Sequence, residues 1–272
     1  MLKKIAAIND LSGVGRCSLT VAIPILSALK VQCCPFPTAI LSSQTDYPEF
    51  TFLDFTNEMD KYKNVWKRLG IGVDCIYSGF LGSIEQIEIV SDFIKETNTS
   101  LVVVDPVMGD NGSLYSTFTE EMCYKIKDLV KHSTLITPNL TEACILTNKE
   151  YHQNYSRDEL INIAKDLSDL GPLNVVITGI VEGDNILNLA YNKSTDEAYF
   201  TSVKYNNRSY SGTGDIFTSI ICGLLTNNYD LNFAVETATK FIYKTINYTS
   251  KFNTNRNDGV MFEMFLGDLI SL

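Results

Sequence analysis

Ser209-Tyr210-Ser211-Gly212-Thr213-Gly214-Asp215-Ile216-Phe217 sets Gly-Thr-Gly-Asp directly before an apolar, helix-like run, Ile216 to Leu225. Glycine at a helix start lets backbone N–H groups turn toward one point. Those N–H groups have no intrahelical partner, and the helix dipole adds partial positive charge. The pattern predicts a seat for an anion such as phosphate. Asp215 sits at the same helix start. A carboxylate beside an anion seat is electrostatically unfavourable unless it serves the chemistry there. The natural service is to take a proton from a hydroxyl that attacks a phosphoryl group. A plainer reading accounts for these four residues equally well: Gly212 and Gly214 shape a turn, and Asp215 caps the helix. The rest of the chain decides between them.

Working outward, 272 residues with 45% hydrophobic content suit one large α/β domain or two small ones. The net charge is −10 and no basic block occurs, which argues against a nucleic-acid partner. A phosphorylated ligand remains compatible, because a local anion site needs few charges. The apolar stretch after Met1 stops at Asn9-Asp10, too short for a signal segment, and no run could span a bilayer. A cytoplasmic protein without a membrane partner is expected. The seven cysteines, Cys17, Cys33, Cys34, Cys75, Cys123, Cys144 and Cys222, include no C-x-x-C pair. They indicate neither a zinc site nor a disulfide framework. The two histidines, His132 and His152, lie in polar surroundings, so a general base should be a carboxylate.

Apolar runs alternate with amphipathic stretches throughout. Strands are expected at Lys4–Ile8, Val31–Cys34, Thr38–Leu41, Cys75–Phe80, Leu101–Asp105, Leu135–Thr137 and Asn174–Thr178. Helices are expected at Cys17–Leu29, Asp54–Leu69, Ser83–Glu96, Glu120–Lys131, Asn139–Thr147, Asp158–Leu170, Gly214–Leu225 and Asn232–Asn247. Ile186–Asn192 and Glu197–Lys204 alternate as an antiparallel edge pair. The order implies βαβ units, a mainly parallel sheet and helices on both faces. No linker or repeat divides the chain, so one domain over residues 1–272 is expected.

In such a sheet, ligands bind beyond the carboxyl ends of the strands. The polar residues just after apolar runs are Asn9-Asp10, Ser42-Ser43-Gln44-Thr45, Ser78-Gly79, Asp105, Thr137-Pro138-Asn139 and Thr178-Gly179. Topology puts them on one rim with the Gly-Thr-Gly-Asp start. Asp105, in Asp105-Pro106-Val107-Met108-Gly109-Asp110, is either a turn residue before Pro106 or a holder of phosphate-bound magnesium. Asp110 reads by default as an Asx-turn residue. Asn139 and Glu142 have capping-box spacing, and the same pair could organise magnesium and water near a triphosphate. Gly13-Val14-Gly15 is not G-x-G-x-x-G, and no Walker A motif occurs.

Gly-Thr-Gly-Asp, Asp-Pro-Val-Met-Gly-Asp and Thr-Pro-Asn-x-x-Glu together resemble the ribokinase-like superfamily, and within it the pyridoxal/pyridoxamine kinases. The resemblance runs from Ile8 to about Gly267. It implies a three-layer sandwich with a mainly parallel central sheet, helices on both faces and a small antiparallel edge. It implies that Asp215 is the catalytic base and that Gly212, Thr213 and Gly214 form the anion hole. By the same resemblance, Asp105, Asn139 and Glu142 form the magnesium–phosphate shell, with Asp105 and Glu142 on the metal. Thr137 and Thr178 become phosphate or nucleotide contacts, and Asp110 and Tyr115 nucleotide-loop residues. Asp10 and Thr45 match the vitamin pocket, joined on the rim by Ser78 and Gly79.

The cofactors implied are ATP and Mg2+, with a monovalent cation such as K+ as an addition, and the partner implied is a second copy in a homodimer. The expected reaction is ATP-dependent phosphorylation of the 5′-hydroxymethyl group of a B6 vitamer. Two alternatives stand beside it: a hydroxymethylpyrimidine (phosphate) kinase, and a non-catalytic B6- or nucleotide-binding protein of the same fold. Asn9-Asp10-Leu11-Ser12 departs from the Gln-Ser-His of many pyridoxal kinases. Gln44 and Asp46 replace the His and Gly that often flank the pocket threonine.

Overall fold

The alternation in the sequence is realised as a succession of strand–helix units in a computed structural model that describes residues 2–272. Along the chain these are β1 (Lys4–Ser12), α1 (Ser18–Ala28), β2 (Gln32–Leu41), β3 (Phe52–Asp54), α2 (Thr56–Arg68), β4 (Cys75–Ser78), α3 (Ile84–Glu96) and β5 (Leu101–Val104). Then come β6 (Gly109–Asp110), β7 (Ser113–Leu114), α4 (Glu120–Val130), β8 (Leu135–Ile136), α5 (Leu140–Thr147) and α6 (Arg157–Asp169). The chain ends with β9 (Asn174–Glu182), β10 (Asn185–Asn192), β11 (Glu197–Lys204), α7 (Thr213–Thr226), α8 (Leu231–Thr249) and α9 (Leu266–Ile270).

Nine strands form one sheet in the order β11-β10-β9-β8-β5-β4-β1-β2-β3. The run from β9 to β2 is parallel; β10 and β11 at one edge and β3 at the other are antiparallel. Because strand side chains alternate, each central strand feeds two cores. Ala6, Ile8, Ile76, Val102, Val104, Ile136, Val175 and Ile177 face the side covered by α2 to α6. Ile5, Ala7, Cys75, Tyr77, Val103, Leu135 and Val176 face the side covered by α1, α7, α8 and α9. Both faces are buried, which is why these strands read as continuous apolar runs rather than as alternating ones.

Besides β3 and α9, which the sequence reading did not expect, three features differ from it. Val31–Cys34 and Thr38–Leu41 merge into the single strand β2, which contains Pro35 and Pro37. Gln32 N–H donates to Lys3 O just before β1, so by alternation the Pro35 and Pro37 nitrogens face away from β1. There β3 reaches only Ala39 to Leu41, so no ladder bond is lost. Strand β9 runs past Thr178 to Glu182. It does so through a bulge at Gly179 (φ 69°), whose N–H is held by Asn188 Oδ1 at 3.0 Å. Finally, Asp110-Asn111-Gly112-Ser113 closes a hairpin, with Asn111 at φ 51° and Gly112 at φ 79°, as a tight two-residue turn requires.

Candidate active site

Helix α7 starts on the rim at the carboxyl ends of β1, β4 and β5. Gly212, its N-cap, has φ 77°, and a Cβ there would lie 1.8 Å from the Arg16 carbonyl oxygen. Only glycine fits that conformation and that approach. The first intrahelical bond of the segment runs from Ile216 N–H to Gly212 O. The N–H groups of Thr213, Gly214 and Asp215 precede it. Helices α3, α4, α5, α6 and α8 each have a capping side chain; α7, like α1, α2 and α9, has none. The Thr213 hydroxyl donates back to Tyr210 O at 3.2 Å. Gly214 is exposed, and the nearest atom to a Cβ built there is Asp105 Oδ2 at 3.9 Å. An uncapped helix end, open above a glycine, suits an anion.

Asp215 is half-buried beneath this seat. Its Oδ2 accepts from Ser18 N–H at 2.8 Å; its Oδ1 accepts from Asn9 Nδ2 at 3.1 Å and lies 3.5 Å from the Tyr77 hydroxyl. Burial pushes its pKa up to about 6, and the Asp10 carboxylate adds to the rise. Donation from Ser18, Asn9 and Tyr77 works against it. The result is a carboxylate ionised at neutral pH yet more basic than an exposed one, as a general base should be.

Asp105 follows β5 directly, with Oδ2 3.3 Å from Thr218 Oγ1, which in turn pairs with Thr137 Oγ1 at 2.9 Å. Burial, then the Asp215 charge, raise its pKa. Glu142 is buried in α5. Its Oε2 accepts from Asn139 N–H at 2.8 Å and its Oε1 from Met108 N–H at 3.1 Å, while Asn139 Oδ1 accepts from Glu142 N–H at 3.0 Å. The capping box is therefore present in full. Burial and then Asp105 raise the pKa of Glu142. Asn139 also donates to Gly109 O at 2.8 Å, which ties the β6–β7 hairpin to α5. Thr178 N–H donates to Pro138 O, so Thr178 lies beside Asn139 at the rim. Asp110 is exposed, and both its oxygens accept from Asn111. Tyr115, 42% exposed, donates its N–H to Met108 O.

No lysine or arginine is among the groups that shift Asp105, Glu142 or Asp215. These carboxylates repel one another, so a hard divalent cation would relieve the site. Among the described residues, no three His, Cys, Asp or Glu side chains converge as a metal cage. The residues therefore fit magnesium held largely by phosphate and water, which needs only one or two protein carboxylates.

On the acceptor side, the four expected residues occupy different environments. Thr45 is exposed at the tip of the loop after β2. Asp10 is buried, with one oxygen on the Ser12 hydroxyl at 2.7 Å and the other on the Ser18 hydroxyl. Ser78 is wholly buried, and its hydroxyl has no partner; its backbone oxygen receives Asp105 N–H. Gly79 packs against Asn9.

The loop from Ser42 to Thr51 is docked. Asp46 Oδ2 accepts from Ser211 Oγ at 3.1 Å, Asn257 Nδ2 donates to Asp46 O at 2.7 Å, and the Tyr47 hydroxyl donates to Asp258. Gln44 is buried against Gly15, where a Cβ would lie 2.7 Å from its Cγ. Gln44 also donates to Asn257 O and accepts from Asp46 N–H, so both Gln44 and Asp46 anchor the loop beside the anion seat. The reading from sequence missed Asn9, Ser18 and Tyr77 as neighbours of the base. Asn9 was on the rim, and a fully buried Tyr77 must find a partner for its hydroxyl. The Ser18 backbone contact left no sequence signal.

A family model described as phosphomethylpyrimidine kinase matches residues 26–261. A protein from Bacteroides thetaiotaomicron described as a phosphomethylpyrimidine kinase, in a crystal form with pyridoxal, is 44% identical with a TM-score of 0.95. That match covers 99% of this chain and 96% of the other. Pyridoxal kinase from Lactobacillus plantarum is 27% identical with a TM-score of 0.93, over 100% of this chain and 98% of that one. Pyridoxine kinase of Bacillus subtilis is 30% identical over 179 residues; the match spans 65% of each chain, just under two thirds of that relative's length.

Proposed function

Because this chain belongs to the phosphomethylpyrimidine kinase family, we propose that it transfers the γ-phosphoryl group of ATP to the 5′-hydroxymethyl group of a B6 vitamer. The observation that carries the reading is a half-buried Asp215 directly beneath an uncapped helix start, with no histidine among the groups that shift it. The Bacteroides thetaiotaomicron protein's crystal form with pyridoxal supports a B6 acceptor.

In this reading the acceptor hydroxyl lies between Asp215 and the γ-phosphate. Asp215 accepts the hydroxyl proton as the new O–P bond forms and the bond from the γ-phosphorus to the β–γ bridging oxygen breaks, with ADP as the leaving group. The N–H groups at the start of α7 hold the charge that develops on the phosphoryl oxygens. Asp105 and Glu142 would hold magnesium, which supplies neutralisation of phosphate charge when bound. Thr137, Asn139 and Thr178, with the Asp110–Tyr115 hairpin region, face the nucleotide. Thr45 contacts the acceptor; Asp10, Ser78 and Gly79 shape the floor beneath it. We place the enzyme in the cytoplasm as one domain acting as a homodimer; no helix among the described residues is long and apolar enough to cross a membrane.

Glu142 separates capping from metal binding. In Glu142→Gln one of the two backbone N–H groups now on its oxygens faces an NH2 group, at a cost of about 1–3 kcal/mol. The expected outcome is a lower melting temperature together with a higher magnesium requirement, and a smaller change in acceptor KM. A lowered melt with unchanged magnesium response would limit Glu142 to the cap.

The second reading, a hydroxymethylpyrimidine kinase, draws on the family's own description. The two acceptors differ in the pyridine 3-hydroxyl. A pocket built to bond that hydroxyl leaves polar groups unpaired with an acceptor that lacks it. Measured on one preparation, kcat/KM should favour pyridoxal over hydroxymethylpyrimidine. The reverse preference would reassign the acceptor while leaving the base and the anion seat in place.

A further inference from the structure

Asn9 is wholly buried in β1, where pairing with β2 shifts register between Asn9 and Leu11. Alternation places it on the same face as Ile5 and Ala7, the face packed against α7. Its Oδ1 accepts two backbone N–H groups, from Asp10 and from Phe80, each at 3.0 Å. Two donors at one end of an amide require oxygen there, so the nitrogen faces the other way. That nitrogen lies 3.1 Å from Asp215 Oδ1. Gly79 leaves the room: a Cβ at that position would lie 2.4 Å from Asn9 Nδ2.

The other oxygen of Asp215 is held by Ser18 N–H at 2.8 Å. Ser18 has φ 52°, a left-handed conformation that costs a non-glycine residue ~1–2 kcal/mol. Its hydroxyl is bound by Asp10, which stabilises that conformation. Strain of this kind persists where surrounding contacts over-determine it, and here it aims a backbone donor at a carboxylate. The other groups that face Asp215 are Asp10 from β1, Cys17 ahead of α1, Tyr77 from β4 and Asp105 after β5. Of these only Tyr77 reaches Oδ1, and at 3.5 Å it is a weak donor.

We propose that Asn9 is a positioning residue for the reaction: its amide grips one oxygen of Asp215 while Ser18 N–H grips the other, so that the carboxylate plane is fixed before the acceptor arrives. The proposal rests on the assignment of Asp215 as base. Each carboxylate oxygen keeps one lone-pair site free, and a fixed plane presents it to the acceptor hydroxyl in one orientation. A carboxylate free to rotate would do so in only part of its conformers, and the loss would fall on kcat.

Asn9→Asp and Asn9→Ala test this. The aspartate keeps an oxygen for the Asp10 and Phe80 N–H groups and changes only the atom that faces Asp215. Both variants should lose roughly 10–100-fold in kcat, within the ~100-fold cost of a small misplacement, while KM for acceptor and ATP stays within about threefold. A stability cycle tests the contact itself. At pH 8, Asn9→Asp should lower the melting temperature in the wild-type background, where two carboxylates meet. It should not do so in Asp215→Asn, where the introduced carboxylate faces an amide. An equal melting loss in both backgrounds, or a kcat that only follows the folded fraction, would overturn the proposal. Full turnover by Asp215→Asn alone would instead remove the base assignment, and the proposal with it.

Discussion

Asp215→Asn should fold, bind nucleotide and turn over ~10²–10⁴-fold more slowly, the usual contribution of a general base. The side chain keeps its shape but presents one oxygen and one NH2 to two donors, Asn9 Nδ2 and Ser18 N–H. One donor is left facing a donor, at a cost of about 1–3 kcal/mol. That is tolerable against a typical margin of ~5–15 kcal/mol. Activity should also follow the titration of this group. Its pKa stands near 6 because burial, then the Asp10 charge, disfavours the ionised form. A base must be deprotonated, so kcat/KM should be level above that value and fall as pH drops through it. The Asn variant should lack that limb. Steady-state kinetics from pH 5 to 8 on both proteins, with circular dichroism as the check on folding, measures it. Near wild-type kcat in the Asn variant would mean that the base lies elsewhere.

Gly212→Ala should be the more damaging of two neighbouring glycine substitutions. Its φ of 77° disfavours any side chain by ~1–2 kcal/mol. The added methyl would meet the Arg16 carbonyl at 1.8 Å and Cys17 Cα at 3.0 Å, and overpacking of this kind costs about 1–3 kcal/mol more. Relief requires moving either the start of α7 or the segment before Ser18, and both carry N–H groups of the site. Stability and turnover should fall together, with turnover down at least ~100-fold, as a ~1 Å misplacement can cost. Gly214→Ala is the contrast: its φ is not positive and the nearest atom lies at 3.9 Å. That variant should melt within about 0.5 kcal/mol of wild type, as surface changes do, and lose activity only by crowding the phosphoryl group. A Gly212→Ala enzyme with native melt and turnover would contradict the geometry of the seat.

The sheet was legible because its central strands are buried on both faces. Leu101-Val102-Val103-Val104 can be little else, and the helices between such runs force parallel pairing. Prolines hid the continuity of β2, since whether a missing N–H matters depends on which edge it faces, and that is set by the neighbouring strand. The start of α7 was legible from Gly-Thr-Gly-Asp, because glycine there answers a backbone requirement. Capping at Asn139 and Glu142 was readable from spacing alone, whereas the repulsion between Glu142 and Asp105 needed the fold. The contacts on Asp215 were not legible: Ser18 contributes a backbone N–H, which any residue carries, and Asn9 is brought to it across 206 positions of sequence. The rim position of Asp10 was legible, whereas the bonds that its oxygens accept from the Ser12 and Ser18 hydroxyls needed the fold.

The central claim is phosphoryl transfer to the hydroxymethyl group of a B6 vitamer. It is tested most directly by incubating the purified protein with ATP, magnesium and pyridoxal and following both products by phosphorus NMR. The account predicts one pyridoxal 5′-phosphate for each ADP formed, and almost no ADP when pyridoxal is left out. ADP formed at the same rate without pyridoxal, or no phosphate ester at any pH between 6 and 8, would contradict it.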